Sequence, residues 1–186
     1  MPDTIPPRAA HALLNLPNAI TFARLCAVPL EVWLVLRHDL HLAFLLFVAA
    51  GLSDAVDGWL ARRQGGTPLG AMLDPVADKT LLVCTYITLA AIEVLPDWLA
   101  ILVVFRDVVI VGGVMLLWLL DHPVVIRPLL ISKLNTAAQI LLVALALLLS
   151  GYGLRAAALL QGLVWIVAAT TLGSGAAYVY IGARGR

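Results

Sequence analysis

Charge is what this chain has least of. Only 12% of its 186 residues are Asp, Glu, Lys or Arg, against 62% that are apolar, where an ordinary globular domain is about a quarter charged and about half apolar. With a mean hydropathy of +1.01, the apolar surface exceeds what one soluble core can hide. A simple soluble domain is excluded, and a polytopic membrane protein is predicted. Cysteine is nearly absent as well. Cys26 and Cys84 each stand in an apolar run without a second thiol nearby, so no disulfide framework exists and both are expected to be small buried hydrophobes. No local cluster of His or Cys offers a zinc site. The opening stretch MPDTIPPRAAHA has no apolar core of the kind a cleavable signal carries. No internal repeat stands out, no segment suggests a soluble second domain, and a net charge of +1 identifies no partner.

What the chain has is long apolar runs. A spanning helix needs roughly 20 mostly apolar residues, and six segments meet this: 19–37, 41–62, 69–92, 97–120, 132–150 and 156–181. The breaks between them, RHDLH, RRQGGTP, EVLPD, DHPVVIRP and SGYGLR, carry charge or turn chemistry. The expectation is an all-α integral membrane protein with six transmembrane helices. It forms one domain over 1–186, with 1–18 as a juxtamembrane segment and 19–183 as the helical body. Asn18 is the expected N-cap of the first helix after Pro17, and His11 to Leu16 suit a short interfacial helix. Six crossings put both termini and the second and fourth connections on one side. That side holds Arg8, Arg62, Arg63, Arg127, Lys133, Arg184 and Arg186, whereas the other connections offer Arg37 and Arg155. Lys and Arg prefer the cytoplasm, so the termini are placed there.

Four aspartates interrupt the grease in SDAVDGWLARRQGGTPLGAMLDPVADK: Asp54, Asp57, Asp74 and Asp78. One aspartate at the bilayer centre costs on the order of 3 kcal/mol, less near the interface. Four uncompensated ones would cost about 10 kcal/mol, comparable to a domain's stability. Asp54 and Asp57 are three apart, Asp74 and Asp78 four apart, and both spacings put a pair on one helical face. The short RRQGGTP link makes the two helices antiparallel neighbours, so the pairs can converge. Convergent carboxylates need a cation among them, and oxygen ligands select a hard ion, Mg²⁺ or Mn²⁺, with Ca²⁺ also open. Two such ions would clamp a phosphate or pyrophosphate. Gly58 and Gly70 cost about 1 kcal/mol each inside a helix, tolerable where a ligand or backbone comes close. Arg62 and Arg63 can meet a phosphate, although Arg63 also suits a plain cytoplasmic anchor, and Gly65 and Gly66 suit a turn. Pro75, if interior to its helix, predicts a bend.

The pattern formed by Asp54, Asp57, Gly58, Ala61, Arg62, Gly70, Asp74 and Asp78 resembles the signature of the CDP-alcohol phosphatidyltransferases. NLPNAITFARLCAVP is similar to that family's first helix, and FRDVVIVGG, ISKLNTAAQ and the small-residue C-terminal helix resemble its CMP-forming cardiolipin synthases. The likeness runs over residues 15–183. It implies a homodimer in a bacterial inner membrane, with a cytoplasm-facing polar cavity holding two divalent ions, Mg²⁺ or Mn²⁺. It implies that Asp54, Asp57 and Asp74 carry metal, that Asp78 is a partial ligand and the general base, and that Gly58, Ala61, Arg62 and Gly70 line the CDP site. The reaction would be attack of an acceptor alcohol on the lipid-side phosphorus of CDP-diacylglycerol.

Within the family the acceptor differs. Glycerol 3-phosphate, the acceptor of phosphatidylglycerophosphate synthases, carries close to two charges and calls for several cations. Outside the motif this chain offers Arg24, Arg106 and Lys133, with Asn135 where a further lysine would be expected and Asp107 directly after Arg106. Fewer cations suit a singly charged acceptor, phosphatidylglycerol, and the product would then be cardiolipin. Each candidate has a plainer role open to it. Arg24 and Lys133 can snorkel to the interface, and Arg106 can form a structural pair with Asp107 between helices. Ser132, Thr136 and Gln139 share a helical face and can bond a headgroup or a neighbouring helix, while Gly173 and Ala177 suit close packing. A divalent-cation transporter would also set acids among apolar helices, but would spread them along a path through the membrane rather than at one side.

Overall fold

The computed structural model describes residues 16–64, 68–119 and 130–184, with side chains described for 21–54, 56, 77, 79–110, 112, 130–178 and 180. Its regular structure is helical throughout: α1 (Leu16–Leu36), α2 (Leu40–Gln64), α3 (Pro68–Ala91), α4 (Asp97–Leu119), α5 (Leu130–Gly151) and α6 (Ala157–Arg184). Each expected apolar segment is matched by one helix, with the largest differences, three residues each, at the start of α1, Leu16 rather than 19, and at the end of α6, Arg184 rather than 181. Two stretches, Leu130–Gly151 and Ala157–Tyr178, are long and apolar enough over the described residues to cross a membrane.

The start of α1 corrects one expectation. The helix begins at Leu16, so Pro17 and Asn18 lie in its first turn and Asn18 is not the cap. Proline is tolerated there because first-turn N–H groups have no intrahelical acceptor. Pro29 sits deeper in α1 and leaves the Leu25 carbonyl without its helical donor. The expected interfacial helix over His11 to Leu16 falls almost wholly outside the described residues.

The chain divides into two compact units, Met1–Thr85 and Tyr86–Arg186. In the first, α1 and α2 pack as a hairpin. The buried stripe of α1 runs Thr21, Arg24, Val28, Glu31, Val35, and that of α2 runs Leu40, Ala43, Phe47, Ala50. Both follow the three–four spacing that lines up one helical face. Large apolar side chains such as Phe22, Trp33, Leu45 and Leu52 point outward, the pattern expected of helices that meet lipid. In the second unit α6 packs against α5 and α4 around Val103, Leu142, Val143, Leu147, Val164 and Val167. Gly173 makes the close approach of α5 and α6: a Cβ there would stand 3.2 Å from Cδ1 of Ile131. That agrees with the packing role expected of it.

Three helices end in one way. After α1 the Asp39 N–H donates to the Leu34 carbonyl and the His38 N–H to Val35. After α3, Val94 donates to Leu89 and Glu93 to Ala90, and after α5, Leu154 donates to Leu149. These are Schellman turns, which use up the last carbonyls by turning one residue left-handed. That residue is His38 (φ 61°), Glu93 (φ 61°) or Gly153 (φ 64°). The Asp39 carbonyl then accepts from the N–H groups of Leu42 and Ala43 in the first turn of α2, and the Pro96 carbonyl from those of Leu99 and Ala100 in α4.

Candidate active site

The sequence motif falls entirely on α2 and α3. Asp54, Asp57, Gly58, Ala61 and Arg62 belong to the C-terminal part of α2, and Gly70, Asp74 and Asp78 to the N-terminal part of α3. The helical backbone therefore keeps the three- and four-residue spacings that set each aspartate pair on one face. Of these eight residues, Asp54 has a described side chain. Those of Asp57, Gly58, Ala61, Arg62, Gly70, Asp74 and Asp78 lie outside the described residues, as does that of Pro75. Among the described residues no three His, Cys, Asp or Glu side chains gather.

Asp54 is held by a residue far away in sequence. Nη1 of Arg24 donates to Oδ1 of Asp54 at 2.9 Å. Arg24 and Asp54 lie roughly 20 Å along their helices from the α1–α2 turn, so the pair ties the open end of the hairpin. Its burial is lopsided, with the arginine side chain 1% exposed and the aspartate 40%. Arg24 is thus enclosed between α1 and its neighbours and does not snorkel to the interface. One motif carboxylate already has a counter-charge from the protein, and its half-exposed position fits an oxygen ligand open to a hard cation.

The candidates on the second unit form a separate polar core. Arg106 is buried, with Nη1 donating to Oδ1 of Asp107 at 2.7 Å and Nη2 donating to Oγ of Ser132 and of Ser174, each at 2.6 Å. The Arg–Asp pair is therefore within α4, not between helices. The guanidinium joins α4 to α5 and α6 through the two serines. Asn135 is wholly buried, its Oδ1 accepting from the hydroxyls of Thr170 and Thr171, each at 2.9 Å. Thr136 bonds back to the Ser132 carbonyl. The Gln139 carbonyl accepts from the Tyr86 hydroxyl at 3.3 Å, while its buried side-chain amide meets no partner among the described residues. Lys133, near the start of α5, is exposed.

Two residues depart from the sequence reading. Cys26 is exposed and Cys84 half-buried. An apolar thiol needs no protein cover where the surroundings are themselves apolar, so the expectation of burial does not hold for Cys26. Glu31 went unremarked in the sequence, yet it is fully buried on the Arg24 face of α1, with neither carboxylate oxygen hydrogen-bonded among the described residues. The signal was present as a lone acid in an apolar helix.

The described cavities lie elsewhere in the second unit. One, of about 610 Å³, is an apolar groove lined by Ile87, Ile101, Phe105 and Val108 among others, and one of about 450 Å³ lies near Glu93, Asp97 and Gln161. The motif, not a cavity, marks the site.

A family model described as CDP-alcohol phosphatidyltransferase matches residues 14–173, most of the chain and all of the aspartate motif. The chain belongs to that family. Among curated relatives, it is 37% identical over 182 residues to a cardiolipin synthase (CMP-forming) / mitochondrial hydrolase fusion protein of Schizosaccharomyces pombe, covering 89% of this chain and 31% of that protein. It is 36% identical to a chloroplastic CDP-diacylglycerol–glycerol-3-phosphate 3-phosphatidyltransferase of Oryza sativa, covering 89% of this chain and 56% of the relative. It is 31% identical to a cardiolipin synthase (CMP-forming) of Rattus norvegicus, covering 91% and 62%. This chain thus spans less than two thirds of the length of each of these relatives.

Proposed function

We propose that this chain transfers the phosphatidyl group of CDP-diacylglycerol to phosphatidylglycerol, giving cardiolipin and CMP. The observation that carries the reading is the set of four aspartates on the end of α2 and the start of α3, in the family's spacing around Gly58 and Gly70. Asp54, Asp57 and Asp74, with Asp78 as a partial ligand, hold two divalent ions, Mg²⁺ or Mn²⁺; an all-carboxylate donor set suits hard cations. When bound, those ions supply charge neutralisation at the pyrophosphate. Gly58, Ala61, Arg62 and Gly70 make room for the CDP moiety and contact it. Asp78 takes the proton of the acceptor hydroxyl. The acceptor oxygen bonds to the lipid-side phosphorus, and the bond from that phosphorus to the bridging oxygen breaks. CMP departs with the electron pair, and no lipid–enzyme bond is formed.

The relatives' names divide between two acceptors, and the second unit favours the singly charged one. Arg106 shares its charge with Asp107 at 2.7 Å, and the neutral Asn135 spends its Oδ1 on two threonines. Lys133 then supplies a cation for the one phosphate charge of phosphatidylglycerol. The alternative acceptor, glycerol 3-phosphate, is favoured by the name of the rice relative. We place the chain in a bacterial plasma membrane; the distribution of Lys and Arg supports six crossings with the motif facing the cytoplasm, and the family likeness supports a homodimer.

The test is CMP release by purified protein given CDP-diacylglycerol with either acceptor. Release with phosphatidylglycerol is the expected result. Release with glycerol 3-phosphate alone changes the acceptor, and release with neither overturns the transferase reading.

A further inference from the structure

Arg24 pairs with the one motif aspartate whose side chain is described, and the geometry of that pair has consequences for the ion. The arginine is the enclosed partner, 1% exposed, while Asp54 keeps 40% of its surface open. Thr21 and Val28, one turn to either side on the same face of α1, are buried too, so the arginine side chain is enclosed along that face. An enclosed arginine needs acceptors to offset its desolvation. Its planar donor fork fixes a carboxylate far more firmly than a flexible ammonium does. One oxygen of Asp54, Oδ1, is engaged at 2.9 Å. The other is left to whatever the open side of the carboxylate meets.

We infer that Arg24 is a positioning residue for Asp54: by holding Oδ1 it makes Asp54 a one-oxygen ligand and so biases the site toward small octahedral cations over Ca²⁺. This rests on the reading of Asp54 as a metal ligand. Partners that orient ligating carboxylates commonly change metal affinity by about 10–100-fold when removed. The direction of the preference follows from ion size. Mg²⁺ and Mn²⁺ take single oxygens in a near-ideal octahedron, whereas Ca²⁺ takes a larger shell in which a carboxylate often gives both oxygens. An unpinned Asp54 regains the two-oxygen mode. The inference also reassigns Arg24, because a side chain closed between helices and bonded to Asp54 is not placed to receive an acceptor lipid's phosphate.

The experiment is Mn²⁺ binding to the metal-free, detergent-purified full chain, followed by electron paramagnetic resonance without any lipid substrate, with Ca²⁺ as competitor. The variants are Arg24→Gln and Arg24→Lys, each checked for a cooperative melt. Arg24→Gln is expected to weaken Mn²⁺ about 10-fold or more and to narrow the preference for Mn²⁺ over Ca²⁺. Arg24→Lys, which keeps the charge without the planar fork, is expected to fall between. In an Asp54→Asn background Arg24→Lys is expected to cause no further loss, and this arm serves if Arg24→Gln does not fold. Unchanged or tighter Mn²⁺ binding in Arg24→Gln, which removal of a nearby positive charge alone would give, overturns the inference and leaves the proposed function standing. Absence of Mn²⁺ binding to the unaltered chain removes the metal reading and the inference together.

Discussion

Asp78 and Asp54 have different tasks under the proposed chemistry, and substitution separates them. A base that removes one proton contributes to turnover and little to holding CDP-diacylglycerol. Asp78→Asn is therefore expected to lower turnover by at least about 100-fold while leaving CDP-diacylglycerol affinity within a few-fold of the unaltered chain, measured by equilibrium binding beside the CMP assay. Full turnover would remove Asp78 from the role of base. The residue scale is also where the sequence was hardest to read. The motif spacing is local, so the four aspartates stand out without a structure. The Arg24–Asp54 pair joins positions 30 residues apart, and the Arg106–Ser174 bond joins positions 68 apart. No periodicity signals such contacts. From the sequence Arg24 and Arg106 read as cations available to a substrate, and the structure gives each a protein partner that the sequence does not announce.

At the scale of single helices the sequence was close to sufficient, because an apolar run of about 20 residues and a charged break are both local features. Each of the six apolar segments coincides with a helix, and the shift at Asn18 is of the size that frayed helix starts allow. Which face of each helix turns inward was not legible. In water a polar stripe marks the outside, but in lipid both faces are apolar and the contrast that gives a helix its moment is lost. Cys26 went astray for that reason. The shared Schellman turns give a test at this scale. A non-glycine residue in the left-handed region costs about 1–2 kcal/mol, part of which glycine returns through unfolded-state entropy. Glu93→Gly is therefore expected to raise stability by roughly 0.5–1 kcal/mol and Gly153→Ala to lower it by a similar amount. Thermal denaturation in detergent checks both, and a loss of stability in Glu93→Gly would contradict the turn geometry.

For the whole molecule, the open question is how the chain threads the bilayer. The proposal puts the α2–α3 link on the cytoplasmic side and the α1–α2 turn on the other. With Cys26 and Cys84 replaced by serine, a single cysteine at Gly66 is expected to react with a membrane-impermeant maleimide only in inside-out vesicles, and one at Asp39 only in right-side-out vesicles. The reverse pattern would place the motif outside the cytoplasm and remove the proposed topology. The sequence supports this threading through its Lys and Arg counts, a statistical preference that acts during insertion.

The outward thiol of Cys26 has a practical consequence. Helical geometry places it about 200° around α1 from Arg24, on the side away from the Asp54 pair. A spin label or fluorophore attached there would sit among acyl chains and leave the carboxylate site undisturbed. With Cys84 replaced, one native position becomes a reporter of immersion depth and of how α1 moves as substrate arrives.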